Sequence, residues 1–293
     1  MFAGTYTALV TPFHKGRVDE GAFQKLISDQ VRGGVDGIVP VGTTGESPTL
    51  GFDEHIRVIE LAVRAAKGRV KVLAGTGANA TAEAVHLTQA AEAVGADGSL
   101  QVAPYYNKPS QEGLFQHFKK IARATKLPII LYSIPGRCNI AIEVPTVQRL
   151  AKACKNIVGI KEAGGDADRV SQLRSTLGQR FTILSGDDAL TLPFMAVGAE
   201  GVISVASNII PRQITRMVNA FTAGNADAAL RLHQKYYPMF KDLFIETNPV
   251  PTKAALAMLG KCTEEYRLPL CKMSAGNRAQ LAKTLKACGV LKK

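Results

Sequence analysis

Lys161 ends an apolar run, Ile157–Ile160, and this combination of residue type and position makes it the first candidate for chemistry. A neutral lysine amine attacks a ketone, and loss of water leaves an iminium that withdraws electrons from the neighbouring carbon. An unperturbed lysine is neutral in only about one molecule in 2,500 at pH 7. Burial that lowers the pKa by roughly three units makes about half of the amine neutral. The competing interpretation is a lysine that snorkels to the protein surface.

Hydroxyl groups and an arginine follow other apolar runs. Thr43 and Thr44 lie in a glycine-bounded turn, Tyr106 and Tyr132 stand near the ends of two runs, and Arg137 follows Tyr132 closely. Backbone N–H groups of a tight turn hold carboxylates, hydroxyl groups relay protons, and a guanidinium binds a second carboxylate. The structural alternatives are an ordinary turn, core aromatic side chains and a surface arginine.

The elements that must position these residues alternate along the chain. Short β-branched or apolar runs recur about every 20 to 35 residues, which is the length of one βα unit, and segments of helical period separate them. Eight such units predict an α/β protein, a parallel sheet closed into a (β/α)8 TIM barrel, whose active site lies at the carboxyl ends of the strands. The predicted strands are Tyr6–Val10, Gly37–Val41, Lys71–Ala74, Ser99–Ala103, Ile129–Tyr132, Ile157–Lys161, Thr182–Ser185 and Gly201–Ser204.

Helices are predicted between the strands and after the last one. Asp53–Ala66 carries apolar residues on one face, and Thr81–Val94 begins with Thr81 as its expected capping residue. The end of the chain predicts helices alone, over Ala226–Phe244, Pro251–Leu259 and Ala275–Ala287. We therefore predict a barrel over residues 1–224 and a C-terminal helical appendage over residues 225–293.

Composition excludes several classes of protein. The 36 Lys and Arg exceed the 24 Asp and Glu, but they are scattered, so we expect a solvated basic surface that attracts small anions and no nucleic-acid site. The five cysteines include no Cys-x-x-Cys pair and the five histidines form no metal-binding pair, so we expect reduced thiols and no metal. No run approaches the ~20 apolar residues of a membrane span, and no signal peptide is evident. We predict a cytoplasmic protein.

One segment favours another class. Gly75-Thr76-Gly77-Ala78-Asn79-Ala80 follows a strand and opens a helix, as in a dinucleotide fingerprint, and Asp97 follows about twenty residues later. A fingerprint belongs to the first turn of its unit, whereas this strand is the third of the series. A glycine-containing turn is therefore preferred over a nicotinamide dehydrogenase.

Taken in order, the motifs resemble those of the dihydrodipicolinate synthase (4-hydroxy-tetrahydrodipicolinate synthase) family of pyruvate-dependent aldolases. The resemblance implies a lyase without a cofactor, in which pyruvate forms a Schiff base on Lys161. Its enamine would attack L-aspartate 4-semialdehyde and give 4-hydroxy-tetrahydrodipicolinate, the first committed step of diaminopimelate and lysine biosynthesis. The motifs are Thr11–Phe13, Gly42–Glu46, Gly75–Asn79, Tyr105–Pro109, Tyr132–Arg137, Gly159–Glu162, Ser185–Asp188, Gly201–Ser204 and Asn248–Lys253.

The resemblance also implies roles for single residues and an assembly. Thr43, Tyr106 and Tyr132 would form a proton relay, with Tyr106 reaching in from a neighbouring subunit of a homotetramer built from two tight dimers. Substrate-binding roles fall on Thr44 for pyruvate, on Arg137 for the semialdehyde carboxylate, and on Gly186 and Ile203 as pocket lining.

Many members of the family are inhibited by lysine. Phe52 stands where lysine-sensitive bacterial members often have histidine, and Pro48 where they often have alanine. We therefore expect weak or altered feedback inhibition. The positions that match the effector site are Ser47, His55, Asn79, Glu83 and Tyr105.

Two alternatives stay open. A related pyruvate-dependent aldolase would act on a sugar acid, but sialic acid aldolases usually carry serine where Thr43 stands and lack the Pro-x-Arg that ends at Arg137. A non-catalytic barrel kept for binding or assembly is opposed by the lysine together with three hydroxyl groups. Ser133 and Cys138 depart from the family's usual residues beside Arg137, so details of semialdehyde binding are not predicted.

Overall fold

Eight parallel strands form a closed barrel in the computed structural model, which describes residues 2–292. Each strand pairs with the next along the chain, and the first also pairs with the eighth, so the predicted (β/α)8 barrel is confirmed. The strands are β1 (Gly4–Ala8), β2 (Gly37–Val39), β3 (Lys71–Gly75), β4 (Gly98–Val102), β5 (Ile129–Ser133), β6 (Ile157–Glu162), β7 (Thr182–Ser185) and β8 (Gly201–Ser204).

A helix follows every strand, and local sequence determines where several of these helices begin. The Asp19 and Ser110 side chains accept hydrogen bonds from backbone N–H groups in the first turns of the first and fourth helices. Pro145 and Pro211 occupy first turns, where a missing N–H group costs no hydrogen bond. The helices are α1 (Glu20–Gly33), α2 (Phe52–Ala66), α3 (Thr81–Ala93), α4 (Gln111–Arg123), α5 (Val144–Ala153), α6 (Ala167–Leu177), α7 (Thr191–Ala196) and α8 (Pro211–Thr222).

The expected cap of α3 is wrong. Ala80 is the N-cap residue, and the Thr81 hydroxyl instead lies 2.9 Å from Nδ1 of His117 on α4. A partner in a neighbouring helix has replaced the local capping bond. The sequence patterns also missed a small hairpin, Phe13–His14 with Arg17–Val18, and a one-turn helix, Pro135–Cys138.

The C-terminal extension consists of α9 (Ala226–Asp242), α10 (Val250–Met258) and α11 (Ala275–Ala287). Helix α9 packs against α8 and α11, and every residue of α10 from Val250 to Leu256 is buried. Helix α10 is therefore a core element, although its sequence position is remote from the barrel strands. Within residues 2–292, no helix is both long enough and apolar enough to cross a bilayer.

Candidate active site

Lys161 faces the interior of the barrel. It is paired in register with Tyr132 of β5, so the two side chains project from the same face of the sheet. The Lys161 Nζ atom lies 4.1 Å from the centroid of the Tyr132 ring, and the residue is only 6% exposed. The adjacent Glu162 points the opposite way, where its carboxylate accepts a 2.8 Å hydrogen bond from Arg169 of α6. The lysine therefore does not snorkel to the surface.

The environment favours the neutral amine. Burial lowers the pKa of Lys161 to about 7, the Asp188 carboxylate opposes this shift, and the Arg137 guanidinium adds to it. Among residues 2–292, the Lys161 ammonium makes no ion pair and no hydrogen bond. Desolvation without a paired counter-charge is the condition that makes a lysine nucleophilic near neutral pH.

Asp188 is the nearest source of negative charge, but its oxygens are already engaged. They accept hydrogen bonds from the Ser204 hydroxyl and, at 2.9 Å each, from the N–H groups of Val205 and Ala206. Burial raises the pKa of Asp188 to about 6, and these three hydrogen bonds counteract the shift. Asp188 therefore acts on Lys161 through its field and not through a direct ion pair.

Gly186 leaves room for the lysine side chain. A Cβ atom at this position would lie 3.0 Å from Cε of Lys161 and 2.6 Å from the Ala163 Cβ. Any larger residue would push the amine out of its place, so the lack of a side chain here has a steric reason.

The glycine-bounded turn after β2 brings two hydroxyl groups to the mouth of the barrel. Burial raises the pKa of Tyr132 above its usual value, and the neighbouring Thr43 side chain counteracts this shift. The Thr44 hydroxyl accepts a 2.9 Å hydrogen bond from the Asn248 side-chain amide. The turn has unusual backbone angles at both ends, with φ of 49° at Val41 and 56° at Glu46. Left-handed angles are unfavourable for a β-branched residue, so surrounding contacts must stabilise this turn.

Arg137 projects from the one-turn helix that follows β5. Its Nη2 atom donates a 3.0 Å hydrogen bond to the Asn248 carbonyl, which leaves its other N–H groups for a ligand. Asn248 thus contacts both Arg137 and Thr44.

The candidate residues line two adjoining cavities that share Thr43, Tyr132 and Arg137. The outer cavity, of about 200 Å³, also contains Ser47 and Tyr105. The inner cavity leads to the amine and is lined further by Thr44, Lys161, Gly186, Val205, Phe244 and Asn248.

Two predicted site residues lie elsewhere in the isolated chain. Tyr106 is 92% exposed on the loop after β4, where its φ of 73° turns it away from the protein. Ile203 is fully buried on β8 and lies beside Tyr6 in the sheet, outside the lining of both cavities described above.

The positions that match the effector site cluster at the outer cavity. The Asn79 side chain donates a 3.2 Å hydrogen bond to the Tyr105 carbonyl, and the Glu83 charge helps to raise the pKa of Tyr105, after burial. The His55 Nε2 atom lies 2.8 Å from the Gly75 carbonyl, and burial lowers the pKa of this histidine. Ser47 joins this group as cavity lining.

Ser133 and Cys138, the two residues that depart from the family pattern, lie in different surroundings. The Ser133 hydroxyl accepts a 3.4 Å hydrogen bond from the Ile142 N–H group, on the side of β5 that faces the helices. Cys138 lines the outer cavity, its thiol donates to the Ala103 carbonyl at 3.2 Å, and burial raises its pKa to about 11. Only Cys138 stands where a bound substrate can meet it.

Sequence reasoning assigned no role to Asn248, Asp188 or Lys253. Asn248 and Lys253 are the first and last residues of one recognised motif, and Asp188 is the last residue of another. The partners of Asp188 lie 16 to 18 positions further along the chain, and those of the other two are more distant. Asn248 contacts Thr44 across 204 positions and Lys253 contacts Glu46 across 207. A buried lysine in a proline-containing helix was the available signal, because such a charge requires a partner.

A (β/α)8 barrel whose sixth strand carries a buried lysine against a tyrosine ring, with no ion pair to that lysine among residues 2–292, has the arrangement of a Schiff-base-forming lyase. Comparison with known proteins gives the family. The family model described as the dihydrodipicolinate synthetase family matches residues 1–288. The chain belongs to this family.

Relatives and solved structures agree along the full length. A protein named 4-hydroxy-tetrahydrodipicolinate synthase from Endomicrobium trichonymphae is 53% identical, and the alignment covers 100% of both chains. A protein of the same name from Aquifex aeolicus is also 53% identical, over 98% of this chain and 97% of the relative. The solved synthase from Methylacidiphilum fumariolicum superimposes with a TM-score of 0.98 at 55% identity, covering 99% of this chain and 96% of the other. A lysine-bound structure from Cyanidioschyzon merolae has a TM-score of 0.96 at 43% identity, with 99% of each chain covered.

Family membership favours the predicted synthase over the sugar-acid aldolase and the dehydrogenase. Side chains of the protein fill the space beside the Gly75–Ala80 turn, because the Thr76 hydroxyl lies 2.8 Å from the Ser99 hydroxyl and 2.9 Å from the Thr88 hydroxyl. A Cβ atom at Gly77 would lie 2.3 Å from the Val102 backbone nitrogen. Close packing on β4 thus accounts for Gly77, whereas a Cβ atom at Gly75 would lie 2.6 Å from the Val41 carbonyl oxygen.

Proposed function

We propose that this protein is a lyase that condenses pyruvate with L-aspartate 4-semialdehyde to give 4-hydroxy-tetrahydrodipicolinate, the first committed step of diaminopimelate and lysine biosynthesis. The single observation that carries the proposal is the Lys161 amine, which is buried beside Tyr132 without a paired carboxylate and has a pKa of about 7.

The reaction begins when the neutral Lys161 amine attacks the ketone carbon of pyruvate. Two protons reach the departing oxygen, water leaves, and an iminium joins Lys161 to the substrate. The iminium acidifies the pyruvate methyl group, and loss of one proton gives the enamine. The enamine carbon then bonds to the aldehyde carbon of the semialdehyde. Attack of the substrate's own amino group on the iminium carbon closes the ring and releases Lys161.

These steps need a group that both accepts and donates protons. The Tyr132 hydroxyl is suited to this role, because the Tyr132 ring lies against the Lys161 amine and the Thr43 side chain acts on the hydroxyl. Tyr106 would complete the relay from a second copy of the chain, and its exposure and left-handed backbone support presentation to a partner. The active enzyme is then at least a dimer, and we propose a tetramer of two tight dimers.

Substrate carboxylates require positive or N–H-rich surroundings. The turn at Thr44 would bind the pyruvate carboxylate, and Arg137, with guanidinium N–H groups to spare, would bind the semialdehyde carboxylate. Gly186 admits the lysine and its adduct, and Ile203 would support the apolar floor of the pocket.

Lysine is the proposed effector, at the group formed by Ser47, His55, Asn79, Glu83 and Tyr105. A relative from Cyanidioschyzon merolae has been solved with lysine bound, which supports an effector of this chemistry. Phe52 is 54% exposed and contacts His86 edge-on, so the position offers a ring where an imidazole would otherwise donate hydrogen bonds. Inhibition is accordingly weak, and an inhibition constant for lysine below the millimolar range contradicts this part of the proposal.

Localisation and domain division complete the proposal. We propose a cytoplasmic enzyme, in keeping with the expected reduced thiols, in which residues 1–224 form the barrel and residues 225–293 form an appendage that folds onto it.

The test supplies pyruvate with L-aspartate 4-semialdehyde in one reaction and offers N-acetylneuraminate in another. We expect NMR to show that pyruvate and semialdehyde are consumed in equal amounts. Cleavage of N-acetylneuraminate at a higher kcat/KM than the condensation would instead assign the protein to the sugar-acid aldolases.

A further inference from the structure

A second fully buried lysine lies behind the substrate turn. Lys253 of α10 is 0% exposed, and its Nζ atom lies 2.6 Å from Oε1 of Glu46, which is also fully buried as a side chain. The ammonium sits over the rings of Phe13, at 4.2 Å from the centroid, and Tyr266, at 5.3 Å. The second carboxylate oxygen of Glu46 accepts a 3.3 Å hydrogen bond from the Arg267 backbone N–H. The C-terminal extension thus holds Glu46 from two sides.

Glu46 ends the turn that carries Thr43 and Thr44. Its N–H group bonds to the Thr43 carbonyl at 3.1 Å, so the position of Glu46 is transmitted directly to the backbone of the relay residue. Its φ of 56° is left-handed, and the same holds for Val41 at the other end of the turn. A turn with this geometry keeps its shape only while outside contacts enforce it.

A contribution to stability alone does not account for this arrangement. Removing two charges from water costs about as much as their attraction returns, and an apolar pair of similar size usually serves stability equally well. In some proteins a buried polar or ionic group instead fixes the relative placement of two elements. Here the two elements are the substrate turn and α10.

We propose that Lys253 and Glu46 are positioning residues that hold the Thr43–Thr44 turn in the geometry that binds pyruvate. The inference rests on the proposed function, because it concerns the same condensation. It assigns the C-terminal extension a task in the active site of its own chain.

The proposal predicts an asymmetry between the two substrates. The ion pair contacts the turn directly at Glu46, whereas Arg137, on the semialdehyde side, is held by the backbone carbonyl of Asn248, which neither charge of the pair touches. The Asn248 side chain is a separate contact to the turn, at Thr44. Loosening the turn should therefore weaken pyruvate binding and slow proton transfer, while the KM for semialdehyde changes little.

The test uses two variants of the full-length chain. Glu46→Asp keeps both charges, tolerates the left-handed backbone and shortens the reach to Lys253 by one methylene. The double variant E46Q/K253M removes both charges at similar volume, which avoids leaving one charge buried alone. In each folded variant we expect the KM for pyruvate to rise about tenfold and kcat to fall about tenfold, since small displacements at reacting groups are costly.

The matched control is R278A, which breaks another ion pair of the C-terminal extension, Arg278–Glu264 at 2.8 Å, away from the cavity lining. Its kinetic constants should stay within about twofold of the wild type. Thermal unfolding identifies which variants fold, and E46D is the variant expected to remain folded in any case.

A pyruvate KM within about twofold of the wild type in folded E46D or E46Q/K253M overturns the inference. A fall in kcat alone, with both KM values unchanged, overturns it as well, because a merely structural role lowers the active fraction in that way. Failure of the wild-type chain to condense the two substrates would overturn the proposed function instead.

Discussion

Two lysines are buried among the described residues, 2–292, and their surroundings differ in the presence of an ion-pair partner. Lys253 forms a 2.6 Å ion pair with Glu46, whereas Lys161, among the residues described (2–292), makes no ion pair. Both amines lie over aromatic rings at close to the same distance, 4.2 Å from Phe13 and 4.1 Å from Tyr132. Burial lowers the pKa of both, but at Lys253 the adjacent carboxylate directly opposes the shift.

The difference teaches what burial does to a lysine in each setting. With a carboxylate at hydrogen-bond distance, the ammonium is retained and joins two elements of the fold. Without one, the neutral form is favoured and the same side chain becomes a nucleophile. In the proposed function, the position of one carboxylate separates Lys253, a positioning residue, from Lys161, the nucleophile. The predictions test that separation in order of decreasing effect.

Replacing the unpaired lysine should have the largest effect on activity. K161M and K161R each remove the nucleophile, and we expect turnover to fall by at least about 10³-fold, as for other covalent catalysts. The measurement is the rate of condensation at saturating substrates. Turnover by K161R close to the wild-type rate would assign the chemistry to another residue.

The same lysines should have opposite effects on stability. K253M leaves Glu46 buried and unpaired, so we expect a loss of about 3 to 5 kcal/mol in the free energy of unfolding. K161M removes an amine that resists protonation, so we expect a gain of about 2 to 4 kcal/mol at pH 7.

The pH dependence of unfolding tests the gain in stability expected for K161M. The pKa of Lys161 is about 7 in the folded chain against 10.5 as its ordinary value, so the unfolded state binds more protons between these two pH values. The wild type therefore carries the full penalty below about pH 7 and loses it as the pH rises toward 10.5. Denaturant unfolding at pH 6.5 and 9.5 should show the K161M advantage shrinking, and an advantage that grows with pH would contradict the lowered pKa.

Y132F tests the ring and the hydroxyl separately. The substitution keeps the ring against Lys161 and removes the hydroxyl on which the Thr43 side chain acts, so we expect kcat to fall about 10²-fold. The control is Y6F, at a tyrosine that is also buried in the barrel, on β1, but lies outside the lining of both cavities. Equal losses in the two variants would indicate damage to packing and not to proton transfer.

The site around Lys161 was predictable from the sequence, whereas the ion pair of Lys253 was not. Lys161, Tyr132 and Thr43 end or follow local apolar runs, and the carboxyl ends of parallel strands meet at one mouth, so their assembly follows from local patterns. The Glu46–Lys253 pair and the Asn248–Thr44 hydrogen bond join positions more than 200 residues apart, and their geometry depends on how the C-terminal helices close over the barrel.

Two further predictions show where local patterns fail and where they succeed. Thr81 looked like a helix cap, but a histidine of α4 offered its hydroxyl a better partner. The strand that carries Lys161 was predicted to within one residue, because a short apolar run rich in β-branched residues is typical of a buried strand. The proposed role of Tyr106 depends on a second copy of the chain.

D188N should have the smallest effect. The Asp188 charge raises the pKa of Lys161, so its removal should lower that pKa by up to about one unit. We expect the acid limb of the pH profile of kcat/KM for pyruvate to move to lower pH. A limb that moves to higher pH, in a variant with an unchanged melting temperature, would contradict the assigned sign.

The most direct test of the account is reductive trapping of pyruvate by cyanoborohydride as a function of pH, with peptide mapping by mass spectrometry. We expect one adduct, on the peptide that contains Lys161, formed at a rate that is half-maximal near pH 7, and no adduct on Lys253. An adduct spread over several lysines, or a rate that rises only toward the ordinary lysine pKa, would contradict the claim that one buried, unpaired amine makes this barrel an enzyme.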